Sequence, residues 1–186
     1  MENTYELLCH PAARYEHVSA VCVGICQSST ELRLRFRLEG DLQRIRLNPL
    51  GEPLQLWQHT CFEAFIGIVG NEPYLEFNFA PSGEWRVHNF LAYRDREPED
   101  SGQQLPSPLI AVRTTDRQVE LDVRLVLAVS TIDSRATLRL GVAAIVEADD
   151  GSLSYWALRH SSEKPDFHCA NDWVLRLQPP SSLKTP

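Results

Sequence analysis

The sequence predicts an all-β protein, an antiparallel two-sheet β-sandwich of the jelly-roll or immunoglobulin-like kind with about ten strands and little helix. Three observations lead there. Apolar and polar residues trade places at every step through several segments, turn residues punctuate those segments at short intervals, and no stretch sustains a 3.6-residue apolar period.

Alternation is clearest in Glu31-Leu32-Arg33-Leu34-Arg35-Phe36-Arg37-Leu38, a pattern useful only to a strand that buries one face. Val119, Leu121, Val123 and Leu125 alternate with Glu120, Asp122 and Arg124 in the same way. Leu138, Leu140, Val142, Ala144 and Val146 form another period-2 set and run into Asp149-Asp150-Gly151, where the glycine supplies the positive φ of a hairpin turn. The returning strand is residues 153–158. Residues 62–66 and 74–79 flank Val69-Gly70-Asn71-Glu72-Pro73 as a second hairpin, and Pro81-Ser82-Gly83 turns the chain into residues 85–93. Residues 173–177 supply a closing strand. Residues 97–108 hold three prolines and Gly102 and are expected as a surface loop. Residues 123–132 are the nearest approach to a helix and could form a single turn. One domain is expected over residues 1–178, with a flexible tail at 179–186.

Composition excludes several classes. Of 186 residues, 43% are hydrophobic and 23% charged, so the chain has the makings of a core. Eighteen Lys and Arg against 25 Asp and Glu give a net charge of −7, which argues against nucleic acid as a partner. No apolar run is long enough for a membrane span, and the acidic start Met1-Glu2-Asn3-Thr4-Tyr5-Glu6 lacks the features of an export signal, so a cytoplasmic location is expected. The five cysteines, Cys9, Cys22, Cys26, Cys61 and Cys169, are odd in number and scattered, and are expected as free thiols. Cys22 and Cys26 have no second pair at zinc spacing. The chain has no nucleophile elbow, phosphate-binding loop, dinucleotide fingerprint or H-E-x-x-H. No cofactor and no catalytic residue is assigned.

Chemistry-bearing residues are dense in three stretches: 56–65, 74–85 and 155–173. In an unbulged strand His59, Cys61 and Glu63 share a face, with Trp57 just before them. On the next strand Glu76 and Asn78 share a face, while Leu75, Phe77 and Phe79 point into the core. If the two polar rows coincide, carboxylate, amide and imidazole groups lie beside an indole. A polyhydroxylated ligand suits such a surface, because its apolar face rests on an aromatic ring and its hydroxyls need fixed acceptors and donors. A carboxylate as deep in an apolar run as Glu63 needs an Arg, a Lys or a ligand as partner; Arg86, Arg94 and Arg159 are candidates. The series Arg33, Arg35, Arg37, Arg44 and Arg46 reads as a solvated sheet face balanced by acids elsewhere.

At Leu56-Trp57-Gln58-His59-Thr60-Cys61-Phe62-Glu63-Ala64-Phe65, at Tyr74-Leu75-Glu76-Phe77-Asn78-Phe79-Ala80-Pro81-Ser82-Gly83-Glu84-Trp85, and at Tyr155-Trp156-Ala157-Leu158-Arg159-His160 continuing to Lys164-Pro165-Asp166-Phe167-His168, the sequence resembles the DOMON-like superfamily, which includes the family-9 carbohydrate-binding modules. The likeness is greatest to a bacterial, cytoplasmic-looking branch and extends over residues 5–178. Those modules hold a terminal sugar between two tryptophans, with a Glu, an Arg and amides around it. Trp57 and Glu63 reproduce the spacing of the first Trp and the Glu, and Phe65 matches the following aromatic. Where the module has its Arg, this chain has Glu76. The second platform falls in Lys164-Pro165-Asp166-Phe167-His168, where Phe167 or His168 would have to serve.

The reading that results is a non-catalytic module for a carbohydrate or an acidic sugar derivative. Trp57 would stack on the ring, Glu63, Glu76 and Asn78 would bond hydroxyls, and Arg159, His160, Lys164 and His168 would close the rim, with His59, Trp85 and Asp166 nearby. Three alternatives stand beside it: a metal- or carboxylate-dependent hydrolase using His59, Glu63, His160 and His168; a haem binder built on His59, His160 or His168; and a protein-interaction module, with a homodimer as one form.

Overall fold

Alternating segments of this kind bury one side chain in two, and two such sheets must face each other. In the computed structural model, which describes residues 2–28, 31–47, 53–98, 105–126 and 136–178, they do so as a sandwich of two antiparallel sheets. The five-stranded sheet has the order β1 (Asn3–Glu6), β3 (Val18–Gln27), β4 (Glu31–Gly40), β10 (Gln118–Val126), β9 (Leu109–Thr114). The eight-stranded sheet runs β2 (Leu8–Cys9), β12 (Leu153–Ala157), β11 (Leu138–Glu147), β5 (Cys61–Ile68), β6 (Tyr74–Phe79), β7 (Trp85–Ala92), β8 (Asp95–Arg96), with β13 (Leu175–Leu177) added to β11 beside β12. Among the described residues the only helical pieces are three short 3-10 turns, at Leu42–Arg44, Pro53–Gln58 and Ala170–Asp172.

The expected turns are in place. Gly70, Gly83 and Gly151 all adopt positive φ, at 89°, 90° and 85°. The strand count exceeds the expected ten because β1, β2 and β8 are too short for a periodic signal, and because β9 is an edge strand with little burial on either face. Residues 123–126, the start of the helical-turn candidate, belong to β10: Val123 and Leu125 continue its inward row, so the period is 2 to its end. The rest of that candidate, the middle of the expected loop (99–104) and the tail (179–186) lie outside the described residues.

The principal core fills the space between the sheets. Leu32, Leu34, Phe36 and Leu38 of β4 and Val119, Leu121 and Val123 of β10 meet Phe62, Ala64 and Ile66 of β5, Phe77 and Phe79 of β6, and Leu140, Val142 and Ala144 of β11. Phe36 packs on Phe62 with ring centroids 5.1 Å apart. Trp85, expected near the site, packs against this core instead: it sits opposite Phe79 in the β6–β7 ladder and shares its inward face.

The outer face of the five-stranded sheet carries the arginine strip, and each arginine is matched. Arg33 forms a two-pronged pair with Asp122, Arg35 reaches Glu2 at 3.1 Å, and Arg37 reaches Glu120 at 3.5 Å. Arg44 and Arg46, beyond the strand, pair with Asp149 at 3.0 Å and Glu147 at 2.7 Å. Arg33 holds the Asp122 carboxyl below the usual carboxylate range. All five cysteines are free thiols, with Cys61 buried. Among the described residues no helix is long and apolar enough to cross a membrane.

Candidate functional site

Because Phe62, Ala64, Leu75 and Phe77 point inward, Glu63, Phe65, Tyr74, Glu76 and Asn78 must face outward. Outward is not solvent here. A second apolar cluster, Phe65, Tyr74, Phe90, Ala143, Ala157 and Trp173, covers part of that face, with Phe167 and Ala170 packed on it. Trp173 stacks on Phe65 at 5.6 Å and donates its indole N–H to the Phe167 carbonyl at 2.8 Å. The segment after β12 is thereby laid back over the sheet. Between it, the 3-10 turn at Pro53–Gln58 and the β7–β8 hairpin lies a hollow of about 540 Å³.

Glu63 and Glu76 are part of the wall, with exposures of 3% and 5%. The ladder sets Glu63 opposite Asn78, and Glu76 opposite Phe65 on one side and His88 on the other, so the two carboxyls are diagonal neighbours. Asn78 is fully buried behind them; its Nδ2 donates to Glu76 Oε1 at 2.6 Å and its Oδ1 accepts from Cys61 Sγ at 3.4 Å. Among the described residues the Glu63 carboxyl forms neither a hydrogen bond nor an ion pair. Burial, reinforced by the nearby Glu76, pushes it well above the ordinary carboxylate range. Glu76 is also raised by burial, but the Asn78 amide and the charges of Arg96 and Arg94 pull against that rise. One acid is therefore held protonated more firmly than the other.

Two imidazoles complete the polar lining. His88 is 5% exposed and its Nε2 is buried with no hydrogen-bond partner among the described residues; the Trp57 ring meets it edge-on at 5.6 Å. His168 takes a hydrogen bond at Nδ1 from the Tyr74 hydroxyl at 2.7 Å, that hydroxyl in turn accepting the Arg94 backbone N–H at 3.3 Å. In the neutral ring this leaves Nε2 carrying the proton, 3.7 Å from Glu76 Oε2. Burial, with the nearby arginines, lowers both His88 and His168 to about 4, so both rings are neutral at pH 7. Arg94, in the hairpin with φ 55°, pairs with Asp166 at 2.9 Å, and Tyr93 donates to the same carboxylate at 2.7 Å. Asp166 so ties the hairpin to the loop that carries Pro165, Phe167 and His168. Tyr155 and Ile145 finish the wall from β12 and β11.

Of the residues expected from sequence, Trp57, Glu63, Glu76 and His168 line the hollow. Asn78 braces Glu76, and Asp166 braces Arg94. His59 does not share a face with Glu63: the 3-10 turn carries it aside, and its Nδ1 meets Glu147 at 2.7 Å. Arg159 is turned to Asp172 at 3.4 Å. His160 meets the Leu8 carbonyl at 2.9 Å and the His10 ring at 4.9 Å. Lys164 is exposed and outside the lining. His59, Glu63, His160 and His168 thus do not converge as the expected hydrolase site or a bis-His haem site would require. Among the described residues no group of three or more His, Cys, Asp or Glu side chains is placed to hold a metal ion.

Sequence reasoning missed His88, Phe90, Arg96 and Tyr155 as lining residues. A signal existed for three of them. Once Trp85 and Val87 are assigned inward, His88 and Phe90 fall on the Glu76 face, and Tyr155 falls opposite the inward Trp156.

No protein-family model matches the chain, and no curated protein matches it. Solved structures do. A candidate carbohydrate-binding protein from Bacteroides uniformis superposes with a TM-score of 0.66 at 17% identity, over 92% of this chain and 84% of that one. A family-9 carbohydrate-binding module from Caldicellulosiruptor kristjanssonii superposes with a TM-score of 0.58 in complex with cellotriose and 0.57 in complex with glucose, at 7% and 8% identity. Those matches cover 87% of this chain and 72% and 73% of the module. The chain has the sandwich fold of these modules.

Proposed function

We propose that this chain is a non-catalytic carbohydrate-binding module, related to the DOMON-like superfamily, whose ligand sits in the hollow on the outer face of the eight-stranded sheet. One observation carries the reading: among the described residues the buried His88 Nε2 has no hydrogen-bond partner and the buried Glu63 carboxyl has no ion pair, yet both line a recess walled by Trp57, Tyr155 and Phe167. A buried polar group without a partner costs about 1–3 kcal/mol. A ligand rich in hydroxyls removes that cost at several points while its C–H face rests on an aromatic ring. Glu63, held as the acid, can donate through its O–H and accept through its carbonyl oxygen; Glu76 accepts; His168 donates through Nε2. The saccharides bound by the structural neighbours of the same fold agree with this reading.

The floor favours a neutral ligand over an acidic one. Of the cations expected at the rim, Arg159 and His160 are turned away, and an added carboxylate or phosphate would face two carboxyls. Titration calorimetry against neutral and acidic saccharides tests the reading. Micromolar-to-millimolar binding is expected for a neutral sugar, with Trp57→Ala weakening it roughly tenfold or more. Binding indifferent to that substitution, or no binding across the panel, overturns it.

A further inference from the structure

Resting on the carbohydrate reading, we propose that the preferred ligand is a saccharide bearing a protonated amine, its ammonium seated between the Glu63 and Glu76 carboxylates. The argument starts from what a hydroxyl leaves undone. Two carboxyls on diagonal positions of neighbouring strands share one recess, and beside a neutral ligand they escape mutual repulsion only while Glu63 keeps its proton. A positive charge seated between them lets both ionise. The surroundings are built for one. Among the described residues neither carboxyl forms an ion pair with a lysine or arginine, whereas the arginine strip on the opposite sheet is matched to acids. Arg94 and Arg96 both line the recess and their charges act on Glu76, and Arg94 is paired with Asp166. Trp57, Tyr155 and Phe167 line the same recess, and aromatic faces attract a cation.

A proton must then move. The titratable and charged groups around Glu63 are Cys61 on its own strand, Glu76 on β6, Arg86 and His88 on β7, Arg94 and Arg96 from the hairpin, His168 from the loop and Tyr155 from β12. Cys61 is pushed up by burial and stays a thiol, and the two imidazoles are already neutral. Glu63 is the group that holds a proton the incoming ammonium can expel. On binding, the Glu63 O–H bond breaks, the proton leaves to buffer, and the carboxylate accepts an N–H from the ligand.

Calorimetry of the intact protein near neutral pH, repeated in two buffers of different ionisation enthalpy, tests this. The probes are glucosamine, galactosamine and mannosamine, each beside its parent hexose and its N-acetyl derivative. One amine is expected to bind about tenfold or more tightly than its hexose and N-acetyl forms, since charge-assisted hydrogen bonds are roughly twice as strong as neutral ones. It should release up to one proton per ligand, and Glu63→Gln should abolish both the release and the preference. Equal binding of amine and hexose, or proton release unchanged in Glu63→Gln, overturns the amine while leaving the carbohydrate reading intact. No binding of any probe overturns both.

Discussion

The outer faces of the two sheets are written in the same alternating code and end in opposite electrostatic states. On the five-stranded sheet, cross-strand register puts Arg33 opposite Arg124 and Arg35 opposite Asp122, and Arg33 reaches Asp122 on the diagonal while Arg35 reaches it straight across. Arg33, Arg35 and Arg37 each stay near water and near an acid. On the eight-stranded sheet, register puts Glu63 opposite Asn78 and Glu76 opposite His88, under a roof made by the segment after β12. Period-2 patterning decides which residues face away from the core; it does not decide whether that outside is wet. One sheet spreads its polar row in matched pairs near the surface, and the other keeps it buried and incompletely bonded beside a hollow.

The largest test of this contrast is steric. Gly141 on β11 lies opposite Phe65, and a Cβ built there comes 2.3 Å from the Trp173 ring, whereas one at Gly24 meets only the far end of the Glu2 side chain at 2.6 Å. Gly141→Ala is expected to destabilise by about 1–3 kcal/mol, and Gly24→Ala by less than about 0.5 kcal/mol, both read by urea unfolding. Equal effects would mean that the roof over the larger sheet does not pack as described.

Protonation gives the next test, because the buried acid Glu63 on one face and the paired acid Asp122 on the other respond to pH with opposite sign. A carboxyl raised in the folded state prefers its proton there, so its contribution is full below the ordinary carboxylate pKa and is lost as pH climbs through the raised value. Glu63 is of this kind. Glu63→Gln should therefore stabilise the unliganded protein at pH 8 by roughly 1–3 kcal/mol, and flatten the loss of melting temperature on the alkaline side. The imidazoles act on the other limb. His88 and His168 are depressed to about 4, so stability should fall as pH drops from about 6.5 towards 4. His88→Gln should make that fall shallower; an unchanged slope would leave His88 with no part in it.

The smallest effect belongs to the matched face. Asp122 is depressed by Arg33, so what it adds is present above about pH 4 and is lost on acidification below that. Asp122→Asn should cost about 0.5–1 kcal/mol at pH 7 and less in molar salt. A loss that ignores salt would show that this pair is not the solvent-screened contact its exposure implies.

Much of the fold was legible because burial is periodic. The inward rows of β4, β10 and β11 can be read off Leu32 to Leu38, Val119 to Leu125 and Leu138 to Val146, and the turn glycines mark where they reverse. Edge pieces such as β2, β8 and β9 were not legible, since strands with little burial leave no period. In the site, Trp57, Glu63 and Glu76 could be picked out as polar or aromatic residues in an apolar setting. His59 and His160 looked equivalent to His168 in sequence, and only tertiary packing separates them: Glu147 and the Leu8 carbonyl take the first two, while Tyr74 turns the third into the hollow.

Asp166 fastens the hairpin at Tyr93 and Arg94 to the loop carrying Phe167 and His168, and none of these residues belongs to the principal core. Substitutions in that short irregular segment would therefore reshape one wall of the recess, while Glu63 and Glu76 stay fixed on strands of the sandwich.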